Sequence, residues 1–223
     1  MSGVLSQTEQ LNEKVPLDFE PIRGFIEIEV RDSKGNVIQK GKHKMHSFLN
    51  NFLKAIEAFA RGANVTVTNT AGGSATFAYA GSRSVTTGGE SVVAMNCMAG
   101  DNDASFGIVV GTGTTPVTLA QYALASQIPH GTGAGQLDYN ASNAEIIGLD
   151  TSVSPPVYRF RIIRTFTNSS GGSITINEVG LVAYHKVTAI FTFMIARDVL
   201  PQPYVIPNGG TCAIAIVVEV VLG

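Results

Sequence analysis

The chain contains no tryptophan, only two cysteines and few charges. Without indole rings, a sugar-stacking platform of the kind carbohydrate modules use would fall to tyrosines; Tyr79, Tyr139 and Tyr204 are the exposed candidates. Two thiols, Cys97 in VVAMNCMA and Cys212 in GTCAIAI, do not make a disulfide framework, and their apolar neighbours read as buried, reduced groups. Charged residues are 14% of the chain, against roughly 25% in ordinary globular proteins. An isolated soluble domain usually shows more charge. The shortage therefore fits a surface covered by partners, and equally a plain low-charge β protein. The formal net charge is −2. The densest basic stretch, Lys40, Lys42, His43, Lys44 and His46, is short and lacks interleaved aromatics, so no nucleic acid is expected as a partner. No apolar run reaches the roughly 18 residues of a membrane helix. Residues Met1 to Glu20 hold no charged-then-apolar leader. The expectation is synthesis in a cytoplasm, without a standard export signal and without a membrane.

The usual chemical signatures are missing too. Gly111-Thr112-Gly113-Thr114-Thr115-Pro116 begins like a dinucleotide fingerprint, but Pro116 stands where the third glycine belongs and no βαβ pattern follows. Gly131-Thr132-Gly133-Ala134-Gly135 fails on spacing. Asp101-Asn102-Asp103 offers oxygens for a hard cation, yet the series has no glutamate at its twelfth position, and an Asx turn is the simpler reading. His43, His46, His130 and His185 are scattered, without carboxylates or thiols at metal-ligand spacing. There is no Gly-x-Ser-x-Gly elbow. No catalytic, cofactor or metal residue is assigned.

What is present is β pattern. Glycine is plentiful (24 residues), and it punctuates short alternating runs. Gly24 to Lys40 reads as a hairpin turning through Asp32 to Asn36. Ser47 to Arg61 reads as the one helix, with Ser47 as N-cap and Gly62 as C-cap. Its stripe of Phe48, Leu49, Phe52, Leu53, Ile56, Phe59 and Ala60 predicts the buried face, with Asn50, Lys54, Glu57 and Arg61 outside. Strands follow at Val65 to Thr68, Thr76 to Ala80, Ser91 to Met95 and Ser105 to Val110, with a short helix in Thr118 to Gln127. Residues 129–156 read as a long contact-forming loop. Val157 to Thr167 is a strong strand, and Ser173 to Tyr184 is a strand pair or one bulged strand. Phe191 to Gly223 reads as a terminal hairpin: Pro201, Pro203 and Pro207 mark its connection, Gly209 and Gly210 supply positive φ, and Thr211 to Leu222 makes a central strand. The predicted fold is mainly β, an antiparallel β-sandwich of jelly-roll kind with one packed amphipathic helix. Residues 1–20 form an extended arm and 21–223 a single domain.

The second half carries an ordered set of signatures: Gly-Thr-Gly-Thr-Thr-Pro at 111 to 116, Arg-Thr-Phe-Thr-Asn at 164 to 168, Ile-Thr-Ile-Asn-Glu-Val-Gly-Leu at 174 to 181, and Ile-Ala-Arg-Asp-Val at 195 to 199. Upstream, His46 to Asn51 leads into the helix. This order resembles small structural proteins of tailed bacteriophages, among tail, fibre and capsid-associated products. The resemblance covers roughly Lys40 to Gly223, with the middle poorly matched; residues 129–156 and the arm depart from it. It implies a non-enzymatic virion protein, made in the bacterial host cytoplasm, whose partners are copies of itself and other virion proteins. Gly111, Gly113, Pro116, Glu178, Gly180, Arg197, Asp198, Gly209 and Gly210 would be structural residues, with Glu178 and Arg197 paired across neighbouring strands. The alternative is a receptor- or carbohydrate-binding module of a tail fibre, with a glycan as partner. A hydrolase on a β scaffold is the third reading.

Overall fold

The structure is a computed structural model, and it describes residues 22–46, 48–79, 93–186 and 189–222. The expected arm at 1–20, the proposed N-cap Ser47, the turn glycines Gly81, Gly88 and Gly89, and the start of the expected Ser91 to Met95 strand lie outside these. The described chain is mainly β with antiparallel sheets and one helix.

The first hairpin forms as its alternation predicts. Strand β1 (Ile22–Arg31) and β2 (Val37–Met45) pair through a turn in which the Asp32 carboxylate accepts from the backbone of Lys34 and Asn36. On its other side β1 pairs β12 (Thr211–Val221) along its whole length, and β12 pairs β9 (Val157–Thr167). With apolar residues on both faces, β12 occupies the interior position its sequence asks for. The far side of β9 carries two short strands in succession, β7 (Asp138–Tyr139) and β8 (Asn143–Asp150). Residues 129–156 are therefore not a free loop. Residues 138–139 and 143–150 of this stretch hydrogen-bond along the edge that β9 would otherwise leave open.

The second sheet is built on β10 (Ile174–Lys186), one bulged strand. One edge of β10 takes β11 (Ile190–Ile206); the other takes β5 (Val93–Asn96) and β6 (Gly107–Gly111). The expected terminal hairpin is thus corrected: β11 and β12 are consecutive but belong to different sheets. Pro201 and Pro203 lie within β11, not in a connection. Tolerance comes from position, because β11 is an edge strand and its register against β10 jumps between Ile176–Tyr204 and Glu178–Val199. The turn proper is Pro207 to Gly210. There Gly209 has φ of 76°, whereas a Cβ on Gly210 would lie 2.6 Å from the Arg31 carbonyl, so the second glycine provides space instead of positive φ.

Helix α1 (Asn50–Arg61) ends at Gly62 in the left-handed conformation, as expected. Its start is different. Leu49 occupies the N-cap position without a side-chain bond, and its amide donates to the Ile195 carbonyl on the free edge of β11. The expected stripe holds in part: Leu49 is buried and Phe48 and Phe52 pack against the core, but Leu53, Ile56, Phe59 and Ala60 are exposed, and the fully buried helix positions are Asn51, Ala55 and Ala58. Small residues let the helix lie close on β11 and on the hairpin of β3 (Val65–Thr68) and β4 (Ser74–Phe77). Asn51 joins the three: its amide donates to the carbonyls of Thr68 and Met194, and its oxygen accepts from the Thr68 amide. The expected short helix in Thr118 to Gln127 does not form; the segment is a turn at Leu119 and Ala120 followed by irregular backbone.

Both larger sheets and the helix feed one apolar core, with Ile26, Ile28, Phe166, Ile214 and Ile216 from the first sheet and Val109, Ile176, Leu181, Phe193 and Tyr204 from the second.

Candidate functional site

Of the expected structural residues, Gly111, Gly113, Glu178 and Arg197 converge on one buried ion pair. Glu178 lies opposite Gly111 and Val199, and Arg197 lies opposite Gly180, so the two side chains meet diagonally across β10 and β11. Both are fully buried, and Arg197 Nε and Nη2 each lie 2.7 Å from Glu178 Oε2. Glu178 also accepts the backbone amides of Gly113 (3.0 Å), Ala125 (3.0 Å) and Ser126 (2.8 Å). Arg197 donates onward to Gln121 Oε1 and to the Thr115 carbonyl, just before Pro116. The pair closes the irregular 111–127 segment around itself. A Cβ on Gly111 would meet Glu178 Oε1 at 2.5 Å and the Ser126 carbonyl at 2.4 Å; one on Gly113 would meet Glu178 Oε1 at 2.4 Å. These glycines admit a carboxylate; neither has positive φ. With its oxygens committed to amides and a guanidinium, this carboxylate is built to hold a loop, not to exchange protons with a substrate.

Asp198 points away from that centre. It accepts the His46 amide at 2.7 Å and faces His46 Nδ1 at 3.2 Å, tying the end of β2 to β11. Gly209 and Gly210 stand apart, at the turn into β12. In the Asp101 to Asp103 stretch Asp103 makes an Asx contact, accepting the Ser105 amide, while Asp101 accepts the distant Ala141 amide. Among the described residues no group of three or more His, Cys, Asp or Glu side chains gathers as metal ligands. No described helix is long and apolar enough to cross a membrane. Of the tyrosines considered as a sugar platform, Tyr139 and Tyr204 are buried and Tyr79 is half-buried. Cys212 is buried and Cys97 half-buried, both unpaired, and burial pushes both thiols up to about 12.

Arg164, the first residue of the Arg-Thr-Phe-Thr-Asn signature and given no role by it, anchors a second hub. Fully buried on β9, it donates to five carbonyls, those of Gly100, Asp103, Phe106, Ile108 and Asn140, and its guanidinium lies 4.9 Å from the centre of the Tyr139 ring. Burial lowers its pKa. The signal was in the alternation: Arg164 shares the face of Tyr158, Phe160 and Ile162, and an arginine in an apolar register must find acceptors inside.

The exposed surface divides by face. One face of the first sheet carries ion pairs: Arg159 with Glu219 (2.6 Å) and Asp150 (2.8 Å), Arg161 with Glu145 (2.6 Å), Lys42 with Glu27 (3.0 Å) and Lys40 with Glu29 (3.1 Å). Between them lies a groove of about 500 Å³ floored by Ala213 and Ala215. Each cation lining it has a carboxylate partner, so it offers no unmatched charge. The opposite face covers the core over most of its length, then runs past it. Ile22, Val220, Tyr158 and Leu149 lie side by side across β1, β12, β9 and β8, and Val218, Phe160 and Ile146 form the next row. Residues directly opposite in a ladder share a face. One row further in, Ile26 and Ile216 are 1% exposed, whereas Ile146 is 75% and Leu149 57% exposed. This is an apolar ledge four strands wide. The helix adds a second apolar surface through Leu53, Ile56 and Phe59.

No family model, no curated protein and no solved structure matches this chain.

Proposed function

We propose that this chain is a non-enzymatic structural subunit of a tailed-phage virion, in head, neck or tail, which assembles with copies of itself and with neighbouring virion proteins. In this reading it is made in the bacterial host cytoplasm, and residues 21–223 act as one antiparallel β-sandwich domain of jelly-roll kind. The observation that carries the reading is the apolar ledge of Ile22, Tyr158, Phe160, Ile146 and Leu149. Contiguous apolar surface on a chain with so few charges marks an interaction site. The order of turn and strand signatures from Gly111 to Val199 supports the virion assignment. Two arginines buried in hydrogen-bonded hubs suit a rigid subunit that presents surfaces instead of moving.

The test is the mass of the purified full-length chain by sedimentation, with negative-stain microscopy of the same sample. Closed rings, tubes or a defined multimer are expected. A monomer that persists at high concentration and binds a glycan saturably would overturn the proposal in favour of a receptor-binding module.

A further inference from the structure

We propose that the apolar ledge is the seat of the chain's own amino-terminal segment, residues 1–20. The inference rests on reading the ledge as a covered surface: a segment from a neighbouring copy makes it an assembly contact, and a segment from the same chain leaves assembly to the apolar helix surface of Leu53, Ile56 and Phe59. The chain enters the first sheet at Ile22, which is itself part of the outer row of the ledge, paired with Val220. Anything attached to Ile22 is thereby concentrated at this surface. Crossing from β1 to β8 spans three inter-strand steps, about 14 Å. Twenty extended residues reach about 66 Å, enough to cover the ledge of the same chain or of a neighbour.

The sequence of the segment suits the seat. Val15, Leu17 and Phe19 alternate with Pro16, Asp18 and Glu20, which gives an extended chain one apolar edge and one polar edge. Pro16 and Pro21 bias the residues before them, Val15 and Glu20, away from helix and toward extended backbone. An extended strip with apolar side chains every second residue matches two apolar rows lying side by side on a sheet.

The experiment uses the full chain carrying Leu17→Cys and Ile146→Cys, oxidised mildly at neutral pH and mapped by mass spectrometry. The native thiols, pushed up to about 12, stay protonated under these conditions. The introduced thiols are expected to join several-fold more than in a control pairing Leu17→Cys with Glu145→Cys, which places the second thiol equally near Ile22 but on the opposite, ion-paired face. Mixing isotope-labelled with unlabelled chain separates joining within a chain from joining between copies, and either supports the seat. Equal joining in the control overturns it. So does an Ile146→Cys chain that couples ledge to ledge between copies, which would make a second copy the occupant. As a second readout, Leu17→Asp with Phe19→Asp should raise the alkylation rate of an Ile146→Cys thiol several-fold, and an unchanged rate overturns the proposal. A chain that forms multimers while its thiols do not join would leave the virion reading standing and remove this one.

Discussion

At the scale of single residues, two polar hubs and one tight contact define the interior. Removing one member of a buried ion pair leaves the other charged and desolvated, at a cost of about 3–5 kcal/mol. Arg197→Ala should lose that much in chemical denaturation, since it strands Glu178 and frees Thr115 and Gln121 together. A variant that unfolds like the parent would count against the hub. A second prediction concerns Gly41. A Cβ there would lie 1.8 Å from the Tyr204 hydroxyl, which sits 2.5 Å from His43 Nε2. Gly41→Ala should cost about 1–3 kcal/mol through overpacking. Adding Tyr204→Phe should recover part of that loss, and a double-mutant cycle measures the coupling. The Glu178 and Arg197 positions were legible because both stand out in β-patterned runs. Gly41 and Arg164 stand in strand signatures that give them no packing role, because that role depends on what another strand brings opposite them.

At the scale of elements, the helix shows where periodicity misleads. Its apolar stripe packs on the core only at its start, through Leu49 and Phe52; further along, Leu53, Ile56 and Phe59 are exposed and the face turned inward is Asn51, Ala55 and Ala58. The positions turned furthest inward carry small residues, and Asn51 satisfies backbone groups that an apolar residue would leave unpaired. Leu53→Glu should therefore change stability by no more than about 0.5 kcal/mol, measured by urea unfolding, while reducing any association made through the helix. Ala58→Leu should destabilise by about 1–3 kcal/mol. The reverse ranking would restore the stripe as the buried face. β11 is a second case: its prolines read as a break, but an edge strand with a register jump accommodates them.

At the scale of the whole molecule, the core is sealed around groups that resist ionisation. Burial pushes Tyr139 and Cys212 up to about 12, from ordinary values of 10.0 and 9.0. The unfolded chain gives up these protons first, so their contribution to stability is intact below about pH 9 and is lost as pH rises toward 12. The denaturant midpoint should fall between neutral pH and pH values above about 10, and Tyr139→Phe should flatten part of that fall. A midpoint unchanged over this range would show that neither group is held protonated by the fold. By itself the sequence determined the β class, the first hairpin, the extents of β9 and β12, and the interior place of β12, because these follow from alternation and turn chemistry within a few residues. Only the tertiary structure decided that β11 and β12 part into different sheets, that residues 129–156 complete an edge, and that the helix turns its alanines inward. Each depends on which distant strand supplies the hydrogen bonds or the space, and local pattern does not encode that.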